Sequence, residues 1–408
     1  MAKKYLNPIV AATVVVILYS VMPILSVFIS AYITTYAYML LVVSLLAFIL
    51  LTGGIERLSF IVNLILPAIL YIVCTFFIKT DSLTIWGYKS MLFIMPVIIG
   101  YYYIDYKPEC LSLFSKALML ALVITAVTTV IGLIRFPEAS RILATIATSD
   151  DEENIRFSWN NIGGYDFIYT CVLLYPMLIL AYKLGRINRI VFFAAFLLLL
   201  TLVILSEYTT ALLLFLISTI LFFAGKRLNE SQLLIFGIVA FWVVLLFWDF
   251  FSQFLIWLAD LFKSDILTER LTALANGITG LENSESNRIE LYRMSLNAFW
   301  SSPFFGRIFG SKMLGGGHSF ILDSLADYGI LGGITIVLTY RNVYRRFFKP
   351  YSMFPCYGYV LWAFFQAMIL STVNTGMWLG VLALFIPSLL YLIYKQDSEE
   401  IYENTMDS

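Results

Sequence analysis

Long apolar stretches, repeated along nearly the whole chain, constrain this sequence more than any motif does. A helix needs about 20 apolar residues to cross a hydrocarbon core about 30 Å thick, and the chain contains about twelve stretches of that kind. Apolar residues make up 61% of the 408 residues and charged residues 13%, whereas soluble domains have roughly 45–50% and about 25%. A soluble fold could not bury so much apolar surface. We therefore predict an all-α, polytopic integral membrane protein.

The predicted transmembrane helices follow these apolar stretches. They cover 8–30, 32–52, 60–78, 84–104, 111–134, 162–182, 190–205, 210–224, 232–258, 319–339, 353–373 and 377–394. The seventh and eighth are short and could form one re-entrant pair. Two spans are favoured because polar residues 206–210 separate two long runs rich in Leu and Phe. We expect one membrane domain, residues 1–408.

Basic residues indicate which loops face the cytoplasm, because Lys and Arg concentrate in short loops that stay inside. With the N-terminus inside, the cytoplasmic loops collect Lys3, Lys4, Arg57, Lys107, Lys183, Arg186, Arg189, Lys226, Arg227, Arg341, Arg345, Arg346, Lys349 and Lys395. Two long segments then lie outside, 135–161 and 259–318, and long loops obey the rule only weakly. We expect both termini in the cytoplasm and a large outer helical loop between helices 9 and 10.

A glycine-rich segment at the end of the large outer loop carries the sharpest candidate for chemistry. His318 is the only histidine in the chain, follows Gly315, Gly316 and Gly317, and directly precedes an apolar stretch. Glycines allow backbone to approach a ligand closely, and histidine can remove a proton near neutral pH. A lone histidine is often only a hydrogen-bonded polar residue, but this setting favours a catalytic role.

Four arginines lie in the two outer segments, on the same predicted side of the membrane as His318. They are Arg141, Arg156, Arg288 and Arg293. A guanidinium fork suits a diphosphate because it makes paired, charged hydrogen bonds. Outer loops also carry solvated charges, so any one arginine alone is weak support. Together with His318, they favour a site for an anionic substrate whose tail lies in the bilayer.

Arg288 is distinguished from the other arginines by its place in a predicted helix. Asn287 and Glu290 form a capping box, and Pro303 ends the helix that follows. A cation in the first helical turn is mildly unfavourable for the helix. A role in ligand binding therefore explains Arg288 better than helix stability does.

Two acidic residues follow His318 inside the next span. Asp323 and Asp327 lie four residues apart, share a helix face, and should face protein or water. On an ideal helix that starts at His318 they would point away from the histidine, so we assign them a supporting role.

Several motifs are absent from the sequence, and their absence limits the reactions that the protein could catalyse. The chain has no GxxxxGK[ST] loop and no GxSxG elbow. Its four cysteines have no metal-ligand spacing. A net charge of zero gives no reason to expect a nucleic-acid partner.

The outer segments also share a pattern of short motifs. These are Asn287 to Tyr292, Ser302 to Gly306, Gly317 to Phe320 with Tyr328-Gly329-Ile330 and Gly332, and, in the first outer segment, Phe136 to Arg141 and Asn161 to Tyr165. The pattern resembles the O-antigen polymerase and O-antigen ligase superfamily, in which an arginine opens the helix before a Pro-x-x-Gly turn and a histidine opens the next span. One departure is Ser206-Glu207, where the family often has Ser-Arg.

The resemblance implies a GT-C-like glycosyltransferase of the bacterial cytoplasmic membrane that needs no metal or other cofactor. Its substrates would be undecaprenyl-diphosphate-linked repeat units, with a chain-length regulator and a flippase as further partners. His318 would take the proton of the acceptor hydroxyl or orient that hydroxyl, and Arg288, with Arg141 or Arg156, would hold the diphosphate and neutralise its charge as it leaves. The other expected site residues are Arg141, Arg156, Arg293, Gly316, Gly317 and Ser319 for substrate binding, and Asp323 and Asp327 in support.

Three functions stay open at this stage. A polymerase of polysaccharide repeat units is preferred. A ligase that transfers glycan to a lipid A core would use the same residues. A transporter or flippase would instead place ionisable groups and broken helices at mid-membrane, whereas the charges here lie mainly in the outer loops.

Overall fold

The computed structural model describes residues 8–32, 96–104, 107–143, 152–224, 285–306, 316–374, 376 and 378–395, with scattered residues between 232 and 272. Every regular element in these ranges is helical, which confirms the predicted all-α class.

The helices are named here in chain order. They are α1 (Pro8–Val21), α2 (Pro23–Tyr32), α3 (96–104), α4 (Glu109–Arg135), α5 (Ala139–Ile142), α6 (Glu152–Trp159), α7 (Tyr165–Lys183), α8 (Arg189–Ser206), α9 (Thr209–Ala224), α10 (Glu285–Ser301), α11 (Phe320–Val343), α12 (Tyr357–Val373) and α13 (379–395). A π-helical turn, Tyr344–Phe348, and a 3-10 turn, Lys349–Met353, continue α11, and α13 contains a second π-helical turn, Val381–Phe385.

Within the described chain, three helices are long and apolar enough to cross a membrane, namely α4, α7 and α8. Two bent pairs, α1 with α2 and Phe320–Ile334 with Ile336–Met353, raise this number to five if each pair is one span. These helices support a membrane protein. The prediction of about twelve spans extends beyond them, because 32–52, 60–78 and most of 84–104 and 232–258 lie outside the described residues.

The first predicted span, 8–30, is wrong in one respect, because it consists of two helices that meet at 113°. Pro23 begins α2, and proline has no N–H with which to continue the hydrogen bonds of α1. The N–H of Ile24 donates instead to the Oδ1 atom of Asn161 at 3.3 Å. A residue of the first outer segment therefore stabilises the bend.

The other described spans keep close to their predicted bounds. The spans 111–134, 162–182 and 190–205 correspond to α4, α7 and α8 within a few residues. The predicted separation of the seventh and eighth helices is confirmed, because α8 ends at Ser206, Glu207 takes a left-handed conformation with φ 59°, and α9 begins at Thr209.

Contacts of basic residues with helices α3 and α13 define one end of the bundle, called the basic end here. The Nε atom of Arg186 donates to the carbonyl of Ile393 at 2.9 Å, and the guanidinium of Arg346 lies 4.8 Å from the centre of the Tyr101 ring. The loops at this end carry Lys107, Lys183, Arg186, Arg189, Arg345, Arg346, Lys349 and Lys395. All of them belong to loops that the sequence assigns to the cytoplasm.

The opposite end, called the polar-loop end, gathers the described parts of 136–164, 207–208, 302–319 and 374–378. There the Tyr208 hydroxyl donates to the Ser140 carbonyl at 2.6 Å, and the N–H of Phe320 donates to the Asn374 carbonyl at 2.8 Å. The described residues of both outer segments therefore lie at the same end of the bundle, away from the basic loops.

Helix α7 is the buried centre of the described bundle. Protein covers 78% of its apolar span, against 39% for α4 and 28% for α8. It packs against α8, α9 and α12, and it runs from Tyr165 at the polar-loop end to Lys183 at the basic end. The loops of the candidate site are therefore attached to a well-packed central helix.

Two glycines allow the turn after α10 to lie directly on α11. Gly306 and Gly329 have φ values of 57° and 62°, in the left-handed region that side chains disfavour. A Cβ atom at Gly306 would lie 2.4 Å from the carbonyl carbon of Asp327, and one at Gly329 would lie 2.5 Å from that of Phe304. Backbone thus meets backbone on both sides of this contact.

We predict that Gly329→Ala destabilises the protein far more than Gly185→Ala. Both glycines have positive φ, but a Cβ atom at Gly185 meets nothing within 4 Å. The control therefore carries only the conformational cost, roughly 1–2 kcal/mol, whereas Gly329→Ala adds a clash with backbone. Thermal melting of the detergent-purified protein measures both. Equal losses of melting temperature would contradict the packing argument.

Candidate active site

The segment 316–319 carries His318 into the start of α11. Gly317 and His318 are exposed, whereas Ser319 is fully buried. Ser319 is the N-cap of α11, and its Oγ atom accepts a hydrogen bond from the N–H of Leu322 at 3.1 Å. The buried cap thus fixes the backbone directly after His318, whose own side chain is exposed.

The carboxylate of Asp323 holds this segment. Its Oδ1 atom accepts from the N–H of Gly317 at 3.1 Å and from the Ser295 hydroxyl at 2.5 Å. Its Oδ2 atom accepts from the N–H of Ser319 at 2.9 Å. The backbone on both sides of His318 is therefore bound to one side chain, through hydrogen bonds to a charged group that are stronger than neutral ones.

This arrangement corrects the expectation that Asp323 points away from the histidine segment. That expectation assumed a helix starting at His318, but α11 starts at Phe320. Asp323 consequently lies in the first turn, where Cα–Cβ bonds tilt toward the helix N-terminus and a negative charge is favourable. Its carboxylate can therefore reach back to the residues that flank His318.

Gly316 ties the segment to α10. Its N–H donates to the Ser295 hydroxyl at 2.8 Å, and a Cβ atom there would lie 2.1 Å from the Leu291 carbonyl oxygen. Only glycine permits such an approach. Gly315, the first glycine of the run, lies outside the described residues.

Three of the residues predicted to bind substrate therefore have other contacts in the structure. The backbone N–H groups of Gly316, Gly317 and Ser319 all donate to protein oxygens. The Ser319 hydroxyl is buried and caps α11. These residues fix the position of His318.

The two arginines of α10 occupy different faces of that helix. Residue 288 is seven positions before Ser295, so the two backbone positions share a face at a separation of about 10 Å along the axis. Arg293 is exposed and only two positions before Ser295, which places it on nearly the opposite face. The structure thus brings position 288, and not Arg293, onto the face that meets the His318 segment.

The two arginines of the first outer segment are also in different settings. Arg141 lies in α5, directly after Ser140, whose carbonyl accepts from the Tyr208 hydroxyl. The Arg156 guanidinium lies 4.8 Å from the centre of the Phe136 ring, in a cation–π contact. The observed contact of Arg156 is therefore one within its own loop.

Asp327, the second predicted supporting residue, is buried at the contact between α11 and the turn after α10. The N–H of Ile330, the residue after Gly329, donates to the Pro303 carbonyl at 2.7 Å. These contacts fix the angle between α10 and α11, on which the position of the His318 segment depends.

An aromatic cluster beside this segment was missed by the sequence analysis. The ring centres of Tyr169 and Trp378 are 5.8 Å apart, those of Tyr169 and Tyr208 6.0 Å, and those of Tyr165 and Tyr208 5.3 Å. These residues come from three separate parts of the chain, so no local pattern predicts the cluster. Burial raises the pKa of the Tyr208 phenol above its usual range.

The geometry suits proton transfer at an exposed surface. His318 is presented by a fixed backbone segment, and an imidazole can accept a proton near neutral pH. Among the described residues, no group of three His, Cys, Asp or Glu side chains could bind a metal ion.

No protein-family model matches this chain, and no curated protein matches it. The resemblance to the O-antigen polymerase and ligase superfamily therefore rests on the quoted motifs alone.

We predict that Asp323→Asn loosens the His318 segment without unfolding the bundle. The amide keeps the shape of the carboxylate but loses its charge and one acceptor, which weakens hydrogen bonds worth roughly 1.5–3 kcal/mol each. Hydrogen–deuterium exchange at residues 316–319 should accelerate. Glu290→Gln, an exposed position on α10, is the charge-matched control. Unchanged exchange in Asp323→Asn would show that the carboxylate does not hold the segment.

Proposed function

We propose that this protein is a polysaccharide polymerase that joins undecaprenyl-diphosphate-linked oligosaccharide repeat units at the outer face of the cytoplasmic membrane. The observation that carries the proposal is an exposed, unique histidine, with its two neighbours bound by Asp323, at the polar-loop end of an apolar helical bundle. The proposal includes a GT-C-like frame of about twelve spans, with the basic end and both termini in the cytoplasm.

His318 acts as general base in the proposed reaction. Its imidazole takes the proton of an acceptor sugar hydroxyl, whose oxygen forms a bond to the anomeric carbon of the donor glycan. The bond between that carbon and the donor diphosphate breaks, and its electron pair leaves with undecaprenyl diphosphate. Attack opposite to the leaving group predicts inversion at the anomeric carbon.

Arg288 neutralises the charge that develops on the leaving diphosphate. Position 288 lies on the helix face that meets the His318 segment, and a fixed cation near a developing anion lowers the barrier. Arg141 is the preferred second ligand, because the Ser140 carbonyl next to it is bonded to the aromatic cluster beside the site. The contact between Arg156 and Phe136 and the opposite helix face of Arg293 make these two arginines weaker candidates.

The separation of basic and polar loops supports this orientation. Loops rich in Lys and Arg stay in the cytoplasm, and the basic end of the bundle carries eight of the predicted cytoplasmic residues. The polar-loop end would then face outward, where a lipid-linked glycan could keep its tail in the bilayer and its diphosphate at the surface.

We predict that His318→Ala and Arg288→Ala nearly abolish polymer while membrane levels of the protein stay normal. Loss of a general base costs roughly a hundred- to ten-thousand-fold, and loss of a charge-stabilising donor about a hundred- to a thousand-fold. Arg288→Lys should stay impaired because an ammonium lacks the bidentate fork. Polymer length and amount on gels provide the measurement.

Lys312→Ala is the control for these variants, since Lys312 belongs to the same outer loop but to none of the motifs, and its effect should be mild. A near-normal polymer from His318→Ala would refute the proposed base, because no other histidine exists to replace it.

A second prediction separates a polymerase from a ligase. Purified protein given only lipid-diphosphate repeat units should make longer lipid-linked chains, because both donor and acceptor are present. A strain without the gene should carry surface glycan of one repeat or none. Accumulation of full-length lipid-linked polymer in that strain would instead support a ligase. Drug or ion transport without chain growth would support a transporter.

A further inference from the structure

The aromatic cluster lies next to the start of α11. The Asn374 carbonyl accepts from the N–H of Phe320, which follows the His318 segment directly. Trp378, four residues after Asn374, packs against Tyr169. The loop 374–378 therefore connects the histidine segment to the cluster formed by Tyr165, Tyr169, Tyr208 and Trp378.

Buried polar atoms without hydrogen-bond partners lie in and beside this cluster. They are Asn374 Nδ2, Trp378 Nε1 and Ser140 Oγ, each without a partner in the described part of the chain. The Asn374 and Ser140 side chains are only 5% and 2% exposed. Such atoms are normally paired, because an unpaired buried polar group is costly, so they point to a ligand rich in hydroxyl groups.

The backbone of Trp378 also marks this loop. Its φ is 55°, in a region that bulky side chains rarely occupy. Strained backbone of this kind is concentrated at ligand-binding and catalytic sites. The indole ring is thus held against Tyr169 at a conformational cost.

Acidic side chains also lie near the rings. Burial is the main reason why the pKa of Tyr208 is raised, and the neighbouring Tyr169, Asp166 and Glu207 add to that effect. Carboxyl oxygens accept hydrogen bonds from hydroxyl groups, which suits a neutral ligand rich in hydroxyl groups.

An ordinary membrane-interface belt does not explain the cluster. Belt residues have exposed rings that can meet lipid headgroups, and Trp300 and Phe304 are exposed in this way, at 70% and 68%. Tyr169 is only 3% exposed, and the rings of the cluster pack on one another between helices.

We propose that Trp378, Tyr208 and Asn374, packed against the buried Tyr169, form a carbohydrate-binding subsite that holds a neutral sugar ring beside His318. The C–H face of a pyranose packs well on the electron-rich face of an aromatic ring, and its hydroxyl groups would pair with the orphaned Asn374 and Trp378 atoms. This inference deepens the proposed function and rests on it for the kind of ligand, a glycan segment of the repeat unit.

Binding of oligosaccharides to the full-length protein in nanodiscs tests the subsite. The probe is an array of oligosaccharides released from bacterial surface polysaccharides, free of lipid and diphosphate, followed by calorimetric titration of the best-bound one. Wild type should bind at least one of them. Trp378→Leu and Asn374→Leu should weaken that binding at least tenfold, and Trp300→Leu, an exposed tryptophan on α10, should bind as wild type.

Thermal melting distinguishes a ligand site from a structural role. Asn374→Leu removes an unpaired donor, so its melting temperature should not fall although its binding does. The subsite is overturned if wild type binds no oligosaccharide, if both variants bind normally, or if both lose binding only together with a large loss of melting temperature.

Failure of the subsite and failure of the polymerase have different signatures. Chain growth from lipid-linked units with a normal KM in Trp378→Leu would remove the subsite and leave the polymerase. Oligosaccharide binding that depends on Trp378, without any chain growth by wild type, would remove the polymerase and leave the subsite.

Discussion

The hydrogen bonds accepted by the Asp323 carboxylate are the interaction on which the candidate site depends. They join Gly317, Ser319 and Ser295, and so connect the start of one helix to the middle of another. Removing a charged group from water is costly unless the group is hydrogen-bonded. Here the hydrogen bonds that stabilise the carboxylate also fix the backbone around His318, so one side chain both stabilises the segment and positions it.

The neighbouring contacts depend on the same hydrogen bonds to Asp323. Ser295 can bond Asp323 only if α10 and α11 keep their angle, which the backbone contact between Gly306 and Asp327 sets. Phe320 is in turn bonded to the Asn374 carbonyl, which brings in the aromatic loop. The His318 segment, α10 and the ring cluster are thus linked through short contacts at one end of the bundle.

Apolar length predicted the helical class and, among the described residues, the bounds of most long helices, because the thickness of a bilayer fixes how long such stretches must be. The glycine run indicated that the segment around His318 is special, because a close approach of two backbones requires glycine, and glycines can be read from the sequence. The direction of Asp323 could not be predicted, because it depends on which residue caps α11. The contacts of Tyr169 with Tyr208 and Trp378 depend on how distant helices pack, and the bend at Pro23 depends on an acceptor far along the chain.

That distant acceptor has a consequence for how the protein is made. Backbone N–H groups inside a bilayer must find acceptors, and the N–H of Ile24 finds one in Asn161, a residue 137 positions later. At about 5–20 residues per second, the ribosome needs roughly 7 to 27 s to supply it. The N-terminal helices are therefore synthesised before their bend can be locked, and their final arrangement is set only after Asn161 has been added to the chain.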